Sequence, residues 1–337
     1  MVFFSNIPQQ IDKRMNSLEE KMNGKRILFI GVKFYHYTEE VIKKMESLGA
    51  EVTFFYERDI SLKYALAKNF YPKYANKIQD RHYMEVIRKI GPLAFDYLLV
   101  IGGYKMEAWF VKTLKERLPN LKTILYQWDS IYNWECDYRH MIPWFDVTKT
   151  FDYKDSETLH LENLPTFHTD EFKVVSTEIP KFDLFFVGGY SYVRYEFVKN
   201  LITYCKTHGI RLKVHLAISI KFFLKEKLSG KALDASILSF SKLDQEEYYR
   251  LFNQANIIID YTNPSQTGIT TRSLDALGAG KKLLTTNEYI VREPGFNSEQ
   301  INIFDPHEIH IDKDFLTLKT FPHQNYSIER WLDAVFD

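Results

Sequence analysis

The 337-residue sequence has few cysteines, no excess of charge of either sign and no long apolar run. Its two cysteines, Cys136 and Cys205, are too few for a disulfide framework and lack metal-ligand spacing, which indicates a reducing compartment. Lys and Arg number 44, and so do Asp and Glu, so no net field draws the whole chain onto nucleic acid. We therefore expect a cytoplasmic protein with no nucleic-acid partner.

No stretch approaches the roughly 18 apolar residues of a membrane-spanning helix, and the start of the chain lacks the basic region of a signal peptide. Membrane contact is therefore expected to be peripheral, on the inner face of the cytoplasmic membrane. The aromatic N-terminus and the basic patch at 221–231 are candidates for it, although a solvated helix face is the simpler interpretation of that patch.

Several chemical signatures are also missing from the sequence. No His/Cys cluster indicates zinc, no Gly-x-x-x-x-Gly-Lys-Ser/Thr run indicates a P-loop, and the segment after Gly31 lacks the Gly-x-Gly-x-x-Gly fingerprint of dinucleotide enzymes. We therefore expect neither a metal ion nor a bound cofactor. What the sequence does contain is 45% hydrophobic and 16% aromatic residues, enough for large cores, in a length that corresponds to about two domains.

Short apolar strands that end near glycine alternate with amphipathic helices along both halves of the chain, which is typical of parallel α/β sheets. The first half has predicted strands at 26–31, 51–56, 95–101 and 123–128, a helix from an N-cap at Thr38 to Gly49, and a helix ending near Arg117. The second half has predicted strands at 182–187, 211–216, 256–260 and 282–286, and helices at 192–207, 245–254 and 270–277. A terminal helix after Ser327 places Ile328, Trp331, Leu332 and Val335 on one face.

Between the two series the periodicity fails in a polar stretch that contains Pro165 and Pro180. We predict an N-terminal domain over 1–165, a linker over 166–180, a C-terminal domain over 181–320, and a C-terminal helix over 321–337 that packs back on the body. The predicted fold class is α/β, with two Rossmann-like doubly wound domains facing a central cleft. Such sheets bind ligands outside the carboxyl ends of their strands, which suits a two-substrate enzyme.

The most informative segment runs from Asp260 to Gly280, where a strand is followed by a turn-rich loop and a helix that opens around Thr270. A helix start offers free N–H groups and a positive dipole end to a phosphate, and Arg272 can add donors. Asp275, about one turn further on, can accept hydrogen bonds from ribose hydroxyls. The alternative is a capped helix in which Arg272 forms a salt bridge with a neighbour.

This segment, with the Leu-Gly-Ala-Gly-Lys-Lys-Leu-Leu-Thr-Thr run that ends at Thr286, resembles the donor-binding segment of GT-B-fold glycosyltransferases, especially bacterial enzymes of lipopolysaccharide core or capsular polysaccharide synthesis. Three further stretches agree with the resemblance: 186–194, 126–130 and 145–152. The likeness covers roughly residues 26–305. One departure is that Thr267 occupies the first place of a Glu pair found in many retaining members, and Asp275 the second. We therefore assign no stereochemical outcome.

The resemblance implies a donor site in the C-terminal domain that stabilises a leaving nucleoside diphosphate without a metal ion. In it, glycines let the backbone approach the diphosphate and arginine matches its oxygens, although a plain tight turn explains the glycines equally well. The residues carried over are Gly188, Gly189, Arg194, Gln266, Gly268, Thr270, Thr271, Arg272 and, for the ribose, Asp275.

The N-terminal domain is expected to hold the acceptor. Asp129 follows a strand end and can act as general base on an acceptor hydroxyl, although an Asx-turn or an N-cap also explains an Asp there. Its aromatic neighbours Trp128, Tyr132 and Trp134 are suited to stacking on sugar rings. His36, in the loop after the first strand, is a second candidate base.

Together these observations predict a glycosyltransferase that moves a sugar from a nucleotide-sugar donor to a hydroxyl of a growing, lipid-linked surface glycan such as lipopolysaccharide or capsule. Its partners are then the nucleotide-sugar and a glycan or glycolipid acceptor. Two alternatives remain open from the sequence: a nucleotide-sugar epimerase of the same fold, and a non-catalytic module that binds nucleotide or glycan.

Overall fold

The computed structural model of the chain describes residues 17–32, 36–133, 135–173 and 179–337. It divides into two compact units. Unit 1 holds the described residues up to Thr166 together with Ser265–Gly268 and Ile328–Asp337, and unit 2 holds Phe167–Pro264 and Ile269–Ser327. The linker expected at 166–180 lies partly outside the described residues, because 174–178 are among those left out.

Unit 1 is built on a six-stranded parallel sheet in the order β2-β1-β3-β4-β5-β6. Its strands are β1 (Arg26–Gly31), β2 (Glu51–Tyr56), β3 (Tyr97–Ile101), β4 (Lys122–Gln127), β5 (Val147–Thr150) and β6 (Glu162–Asn163). Its helices are α1 (Tyr37–Ser47), α2 (Leu62–Phe70), α3 (Pro72–Ile90), α4 (Ala108–Arg117), α5 (Tyr153–Leu159) and α10 (Ile328–Val335), and residues 17–22 are also helical. The apolar central strands are buried, as strands covered on both faces must be.

Unit 2 repeats this architecture with a second six-stranded parallel sheet, in the order β12-β11-β10-β7-β8-β9. Its strands are β7 (Phe182–Gly189), β8 (Leu212–Ala217), β9 (Leu238–Ser239), β10 (Ala255–Asp260), β11 (Lys282–Thr285) and β12 (Ile301–Ile303). Its helices are α6 (Tyr192–His208), α7 (Ile220–Leu228), α8 (Gln245–Asn253) and α9 (Thr271–Gly278). In both sheets the chain turns back once, so each has a single point where the strand order reverses.

The terminal helix α10 packs in unit 1 through the face predicted from the sequence. Ile328, Trp331, Leu332 and Val335 are all buried, and the Trp331 ring lies edge-on to that of Tyr126 at 4.9 Å between centroids. At the helix ends, Lys44 donates to Glu329 at 2.8 Å and Lys149 donates to the Ala334 carbonyl at 2.6 Å. The predicted amphipathic face is therefore confirmed, and its contacts are with the strands and helices of unit 1.

The predicted start of the first helix was wrong. The sequence predicts Thr38 as the N-cap of the first helix, whereas α1 begins at Tyr37 with His36 at the cap position. The His36 side chain makes no capping hydrogen bond, and the Thr38 hydroxyl instead donates to the Val32 carbonyl at 2.6 Å. A threonine hydroxyl can either donate to a carbonyl of the preceding loop or accept from a helix amide. In this helix the Thr38 hydroxyl donates to the loop carbonyl.

Candidate functional site

In unit 2 the strand order reverses between the adjacent strands β7 and β10. The carboxyl end of β7 is Gly188-Gly189, and β10 ends at Asp260, which is followed by Tyr261. Helix α6 begins after β7, and α9 begins after the loop that follows β10. This reversal point is where open α/β sheets bind ligands, so the loops that carry the predicted donor residues start at the expected place.

Asp260 is the centre of a buried polar cluster at this point. Its side chain is fully buried, and its carboxylate accepts hydrogen bonds from three threonine hydroxyls. The donors are Thr262 at 2.6 Å, Thr270 at 3.0 Å and Thr285 at 3.2 Å. Arg272 adds an ion pair, with 2.8 Å from its Nη1 to Oδ1 of Asp260. A buried carboxylate is costly unless hydrogen-bond donors surround it, and here three hydroxyls and one guanidinium donate to it.

Helix α9, which begins at this cluster, has the capped start and the Arg272 salt bridge that the sequence offers as the alternative to a phosphate site. The Thr270 hydroxyl accepts from the Ser273 N–H at 3.2 Å, and Arg272 forms the salt bridge with Asp260. The amides of Thr271 and Arg272 remain in the first turn, where no intrahelical acceptor exists. Arg272 Nε is buried without a hydrogen-bond partner. Arg272 is thus fixed by Asp260 and still has a donor that its neighbours do not satisfy.

Arg194 lies beside the same strand ends. Its Nη1 donates to the Gly189 carbonyl at 2.6 Å, and its guanidinium carbon lies 5.8 Å from the centre of the Tyr261 ring. A Cβ at Gly188 would come within 3.3 Å of the Arg194 side chain, whereas one at Gly189 would meet nothing within 4 Å. Gly188 therefore allows the close approach of Arg194, and the two arginines lie at neighbouring strand ends of unit 2.

Asp275 is placed differently from the other predicted donor residues. Its side chain has no exposed surface, and its Oδ2 accepts a hydrogen bond from the Tyr248 hydroxyl at 3.1 Å. Tyr248 belongs to α8, so Asp275 is directed into the interior of unit 2. A ribose therefore cannot contact this carboxylate in the arrangement described, because the Asp275 side chain has no exposed surface.

Gln266 and Gly268 belong to unit 1, although the loop that carries them leaves a strand of unit 2. The Gly268 N–H donates to Asp152 at 3.2 Å, and a Cβ at Gly268 would overlap the ring of Phe151. Thr267 donates to the same carboxylate through its N–H at 2.5 Å and through its hydroxyl at 2.8 Å. The glycine therefore provides close packing against unit 1, and its amide is already used by Asp152.

Gln266 meets the predicted general base. Its Nε2 donates to Oδ1 of Asp129 at 2.6 Å, and Nδ2 of Asn133 donates to the same oxygen at 3.0 Å. Burial raises the pKa of Asp129, while hydrogen bonds from Asn133, Gln266 and the Cys136 thiol oppose that rise. Two amide groups thus orient a carboxylate whose basicity is increased, which is a suitable arrangement for a base.

The aromatic residues expected around Asp129 are only partly described. Trp128 is half-buried, and Tyr132 is 59% exposed, so the ring of Tyr132 is available to a ligand. Trp134 lies outside the described residues. His36 precedes α1, and its ring stacks on that of Tyr37 at 4.6 Å between centroids. It follows β1, next to the point where the strand order of unit 1 reverses between β1 and β3.

Glu57 is a site residue that the sequence analysis missed. It follows β2, is buried, and its Oε2 accepts the N–H groups of Gly103 at 2.7 Å and Tyr104 at 2.8 Å. Gly102 and Gly103 have φ values of 86° and 84°, and a Cβ on Gly102 would come within 2.7 Å of Oε2. Burial raises the pKa of Glu57. The Gly-Gly pair at a strand end signals an anion-binding turn, but only the fold shows which anion fills it.

Two further observations concern metal ligands and membrane-spanning helices in the described residues. Within the described ranges, no group of three or more His, Cys, Asp or Glu side chains is arranged to hold a metal ion. No helix in the part of the chain that the structure describes is long and apolar enough to cross a bilayer.

The two parallel sheets, each with one reversal of strand order, are the two Rossmann-like domains of the GT-B fold, as the sequence resemblance implied. No protein-family model matches the sequence, and no curated protein matches it. Solved structures do resemble the chain. The N-terminal domain of trehalose-6-phosphate phosphatase from Candida albicans has a TM-score of 0.51 and 10% identity, and the match covers 93% of each chain.

A glycosyltransferase from Rickettsia africae ESF-5 has a TM-score of 0.50 and 11% identity over 85% of each chain. The lipopolysaccharide outer core galactosyltransferase WaaB, in its apo form, has a TM-score of 0.49 and 12% identity over 93% of this chain and 96% of its own. At these identities the likeness to the first two structures, whose TM-scores are 0.51 and 0.50, shows the shared fold and no more. The reaction has to be argued from the residues of this chain.

Proposed function

We propose that the chain is a glycosyltransferase that transfers a sugar from a nucleotide-sugar donor to a hydroxyl of a growing, lipid-linked surface glycan such as lipopolysaccharide or capsule. The observation that carries the proposal is the pair Arg194 and Arg272 at the strand-order reversal of unit 2, beside the first turn of α9. The fold shared with a glycosyltransferase of known structure is compatible with this reaction, and the argument for the reaction rests on the residues of this chain.

The donor diphosphate would bind at the ends of β7 and β10. Arg194 and Arg272 would face its oxygens, and the first-turn amides of Thr271 and Arg272 would add N–H donors. These fixed positive groups would stabilise the charge that develops on the leaving nucleoside diphosphate, which is the role a metal ion has in other transferases. Asp260 would hold the Arg272 guanidinium in place, since it fixes Nη1 and leaves Nε without a partner.

The acceptor would bind in unit 1, with Tyr132, Trp128 and Trp134 against its sugar rings. Asp129 would take the proton of the acceptor hydroxyl as the new glycosidic bond forms and the bond to the nucleoside diphosphate breaks. Gln266 and Asn133 would keep the carboxylate in one orientation during that step, because both donate to the same oxygen.

A thermal-shift screen with nucleoside diphosphates tests the donor site without knowledge of the acceptor. At a ligand concentration of about 100 Kd, binding to the folded state adds about 2.7 kcal/mol of stability, so the right nucleotide raises the midpoint clearly. Arg272→Lys should reduce this shift, because lysine keeps the charge beside Asp260 but loses the planar fork of donors.

Arg211→Lys is the matched control, since Arg211 also belongs to unit 2 and pairs with an Asp, Asp183, but is exposed and far along the chain from the loop. Its shift should equal that of the wild type. If no nucleoside diphosphate raises the midpoint of the wild-type protein, the donor site is wrong. If incubation with the donor alone yields an epimerised sugar, the epimerase alternative is favoured.

A further inference from the structure

Arg58 follows β2, and its guanidinium lies over the ring of Tyr104, which follows β3. The guanidinium carbon is 3.7 Å from the ring centre, so the flat face of the cation packs against the ring. Because β1 lies between β2 and β3, this contact spans the carboxyl end of β1, where the strand order of unit 1 reverses. Open α/β sheets bind ligands at such a point, so Arg58 lies where a ligand is expected.

Tyr104 is a rigid support for this guanidinium. Its side chain is buried, and its backbone N–H donates to Oε2 of Glu57 at 2.8 Å. Its hydroxyl accepts from the Tyr64 hydroxyl at 3.0 Å and donates to Glu135 at 3.3 Å. Tyr104 is thus held at its backbone and at the end of its side chain, and the position of the ring is fixed.

The two lysines that also lie near the Tyr104 ring already have a carboxylate partner. The Nζ atoms of Lys68 and Lys105 are each 5.4 Å from the ring centre, and they lie 2.7 Å and 4.0 Å from carboxylate oxygens of Glu135. Arg58 differs from both lysines. Across the described ranges its side chain makes no hydrogen bond and has no carboxylate within ion-pair distance. Since the ring covers only its flat face, the N–H donors at its edge remain for a ligand.

The carboxylates on either side of Arg58 in the chain are used by backbone amides. Glu57 is buried and accepts two N–H groups of the turn after β3. Asp59 accepts the Ser61 N–H at 2.7 Å. Neither carboxylate neutralises the guanidinium through an ion pair, although both lower the positive potential around it.

The charges around Tyr104 limit the ligand to a weakly charged anion. Three cations, Arg58, Lys68 and Lys105, lie over its ring, and two carboxylates, Glu57 and Glu135, accept its hydrogen bonds. One positive charge is in excess, and it complements a monoanion. A planar carboxylate also matches the donor fork of a guanidinium. A phosphate monoester carries about −1.5 to −2 charges and would bring more negative charge than this group can balance.

Arg58 also lies near the proposed general base. The Cys136 thiol donates a hydrogen bond to Asp129, and burial together with the charge of Asp129 raises the pKa of Cys136 to about 12, a rise that the charge of Arg58 opposes. Asp129 and Arg58 therefore act on the same thiol. In the sheet, β4, which precedes Asp129, is the neighbour of β3, which precedes Tyr104.

We propose that Arg58 binds the carboxylate of an acidic sugar, so that the glycan acceptor of this enzyme carries a uronic acid. This inference rests on the proposed function, because it names the chemical class of the acceptor. The edge donors of Arg58 pair with the carboxylate, and Asp129, at the same edge of the sheet, takes the proton of an acceptor hydroxyl. A neutral sugar of the same shape lacks the ion pair and binds more weakly.

Saturation-transfer NMR titrations of the full chain test the proposal without turnover. The probes are the methyl glycosides of glucuronic, galacturonic and mannuronic acid, each compared with the methyl glycoside of its neutral parent sugar, and glucose 6-phosphate. The variants are Arg58→Gln and Arg58→Lys. The Arg58 side chain is exposed, so folding is expected to be preserved, and circular dichroism checks it.

Arg26→Gln is the matched control, because Arg26 also belongs to unit 1 and lies over an aromatic ring. Its guanidinium carbon is 5.9 Å from the ring centre of Phe95. It differs in two respects: Arg26 is the first residue of β1, at the amino edge of the sheet, and its Nε pairs with Glu51 at 3.3 Å.

The wild type should bind at least one uronide about fivefold more tightly than the neutral parent, which is the upper range for an ion pair open to water. Arg58→Gln should remove this preference and leave the affinity for the neutral glycoside unchanged. Arg58→Lys should keep part of it, because lysine retains the charge and loses the planar fork. The Arg26→Gln control should show the preference of the wild type.

Three results would overturn the proposal: no uronide preferred over its neutral parent by the wild type, an equal loss of preference in the Arg26 and Arg58 glutamine variants, or glucose 6-phosphate bound through Arg58 more tightly than every uronide. The thermal-shift screen with nucleoside diphosphates separates this failure from that of the proposed function. A nucleotide shift without uronide preference refutes the acidic acceptor alone, whereas uronide binding through Arg58 without a nucleotide shift refutes the donor site and keeps Arg58 as a glycan-binding residue.

Discussion

Replacement of Asp152 by Asn tests how the loop after β10 is held in unit 1. The carboxylate is fully buried and accepts four hydrogen bonds. Oδ2 takes the N–H groups of Thr267 and Gly268, at 2.5 and 3.2 Å, and Oδ1 takes the Thr267 hydroxyl at 2.8 Å and the Asp155 N–H at 3.1 Å. All four partners donate to the side chain. A carboxylate can accept all four hydrogen bonds, whereas the NH₂ group of an amide cannot accept any.

The cost follows from the best arrangement open to the amide. With its oxygen toward Thr267 and Gly268, the substituted side chain keeps those two bonds but loses their charge assistance, at about 1 kcal/mol each. Its NH₂ group then faces the Asp155 N–H, so the N-cap of α5 is lost, at about 1 kcal/mol. The Thr267 hydroxyl can turn to accept, so it adds little. We expect a loss of about 3 kcal/mol in the free energy of unfolding of unit 1.

Urea denaturation followed by circular dichroism and tryptophan fluorescence measures this loss, with separate fits where the two units unfold in separate transitions. Asp137→Asn is the control, because Asp137 pairs with Arg139 at the surface and such pairs contribute at most about 1 kcal/mol. A loss below about 1 kcal/mol in Asp152→Asn, or one equal to that of the control, would refute the argument that Asp152 anchors the loop.

Three further predictions concern neighbouring residues. Gly268→Ala should destabilise unit 1 by about 1–3 kcal/mol in the same urea assay, because the methyl group overlaps the Phe151 ring; an unchanged midpoint would contradict this packing role. In a pH–rate profile, the rate should fall on the acidic side at a higher pH than an ordinary Asp would give, because burial raises the pKa of Asp129. Gln266→Leu should raise the pH of this fall further, because the substitution removes a hydrogen bond to the charged form of Asp129. If the pH of the fall does not change in this variant, Gln266 does not position the base. Burial likewise raises the pKa of Glu57, so its contribution to stability is fully present below its ordinary value of 4.5 and is lost as pH rises through the folded-state pKa. The Glu57→Gln variant should therefore lose less stability than the wild type between acidic and neutral pH. Urea midpoints measured at several pH values test this, and equal pH dependence of the midpoints in the two proteins would contradict the prediction.

The sequence was a good guide to the strands and to the repeated α/β series. Buried parallel strands read as short apolar runs, and those of β1, β3 and β10 are bounded clearly enough to be placed within a residue or two. Helix α2 was missed for a physical reason. Leu62, Leu66 and Phe70 point outward while Tyr64 and Ala67 point inward, so no single apolar face stands out in the pattern.

The candidate site was predictable where one segment contains the whole arrangement. The capped start of α9 and the salt bridge of Arg272 involve residues within twelve positions of each other, and local pattern suggested both. Contacts across more than a hundred positions, such as Gln266 with Asp129, depend on the tertiary path of the chain. Glu57 was missed for the same reason, because its partners Gly103 and Tyr104 lie on another strand end.

The loop after β10 explains why glycine and amide residues in a donor-like motif need not contact a donor. Asp260 and Arg272 remain in unit 2, but Ser265–Gly268 between them belongs to unit 1, so one short segment serves two packing environments. A substitution at Gly268 or Gln266 therefore acts first on unit 1, through Phe151 and Asp129. Loss of donor binding in such a variant is informative about the phosphate site only when the stability of unit 1 is measured beside it.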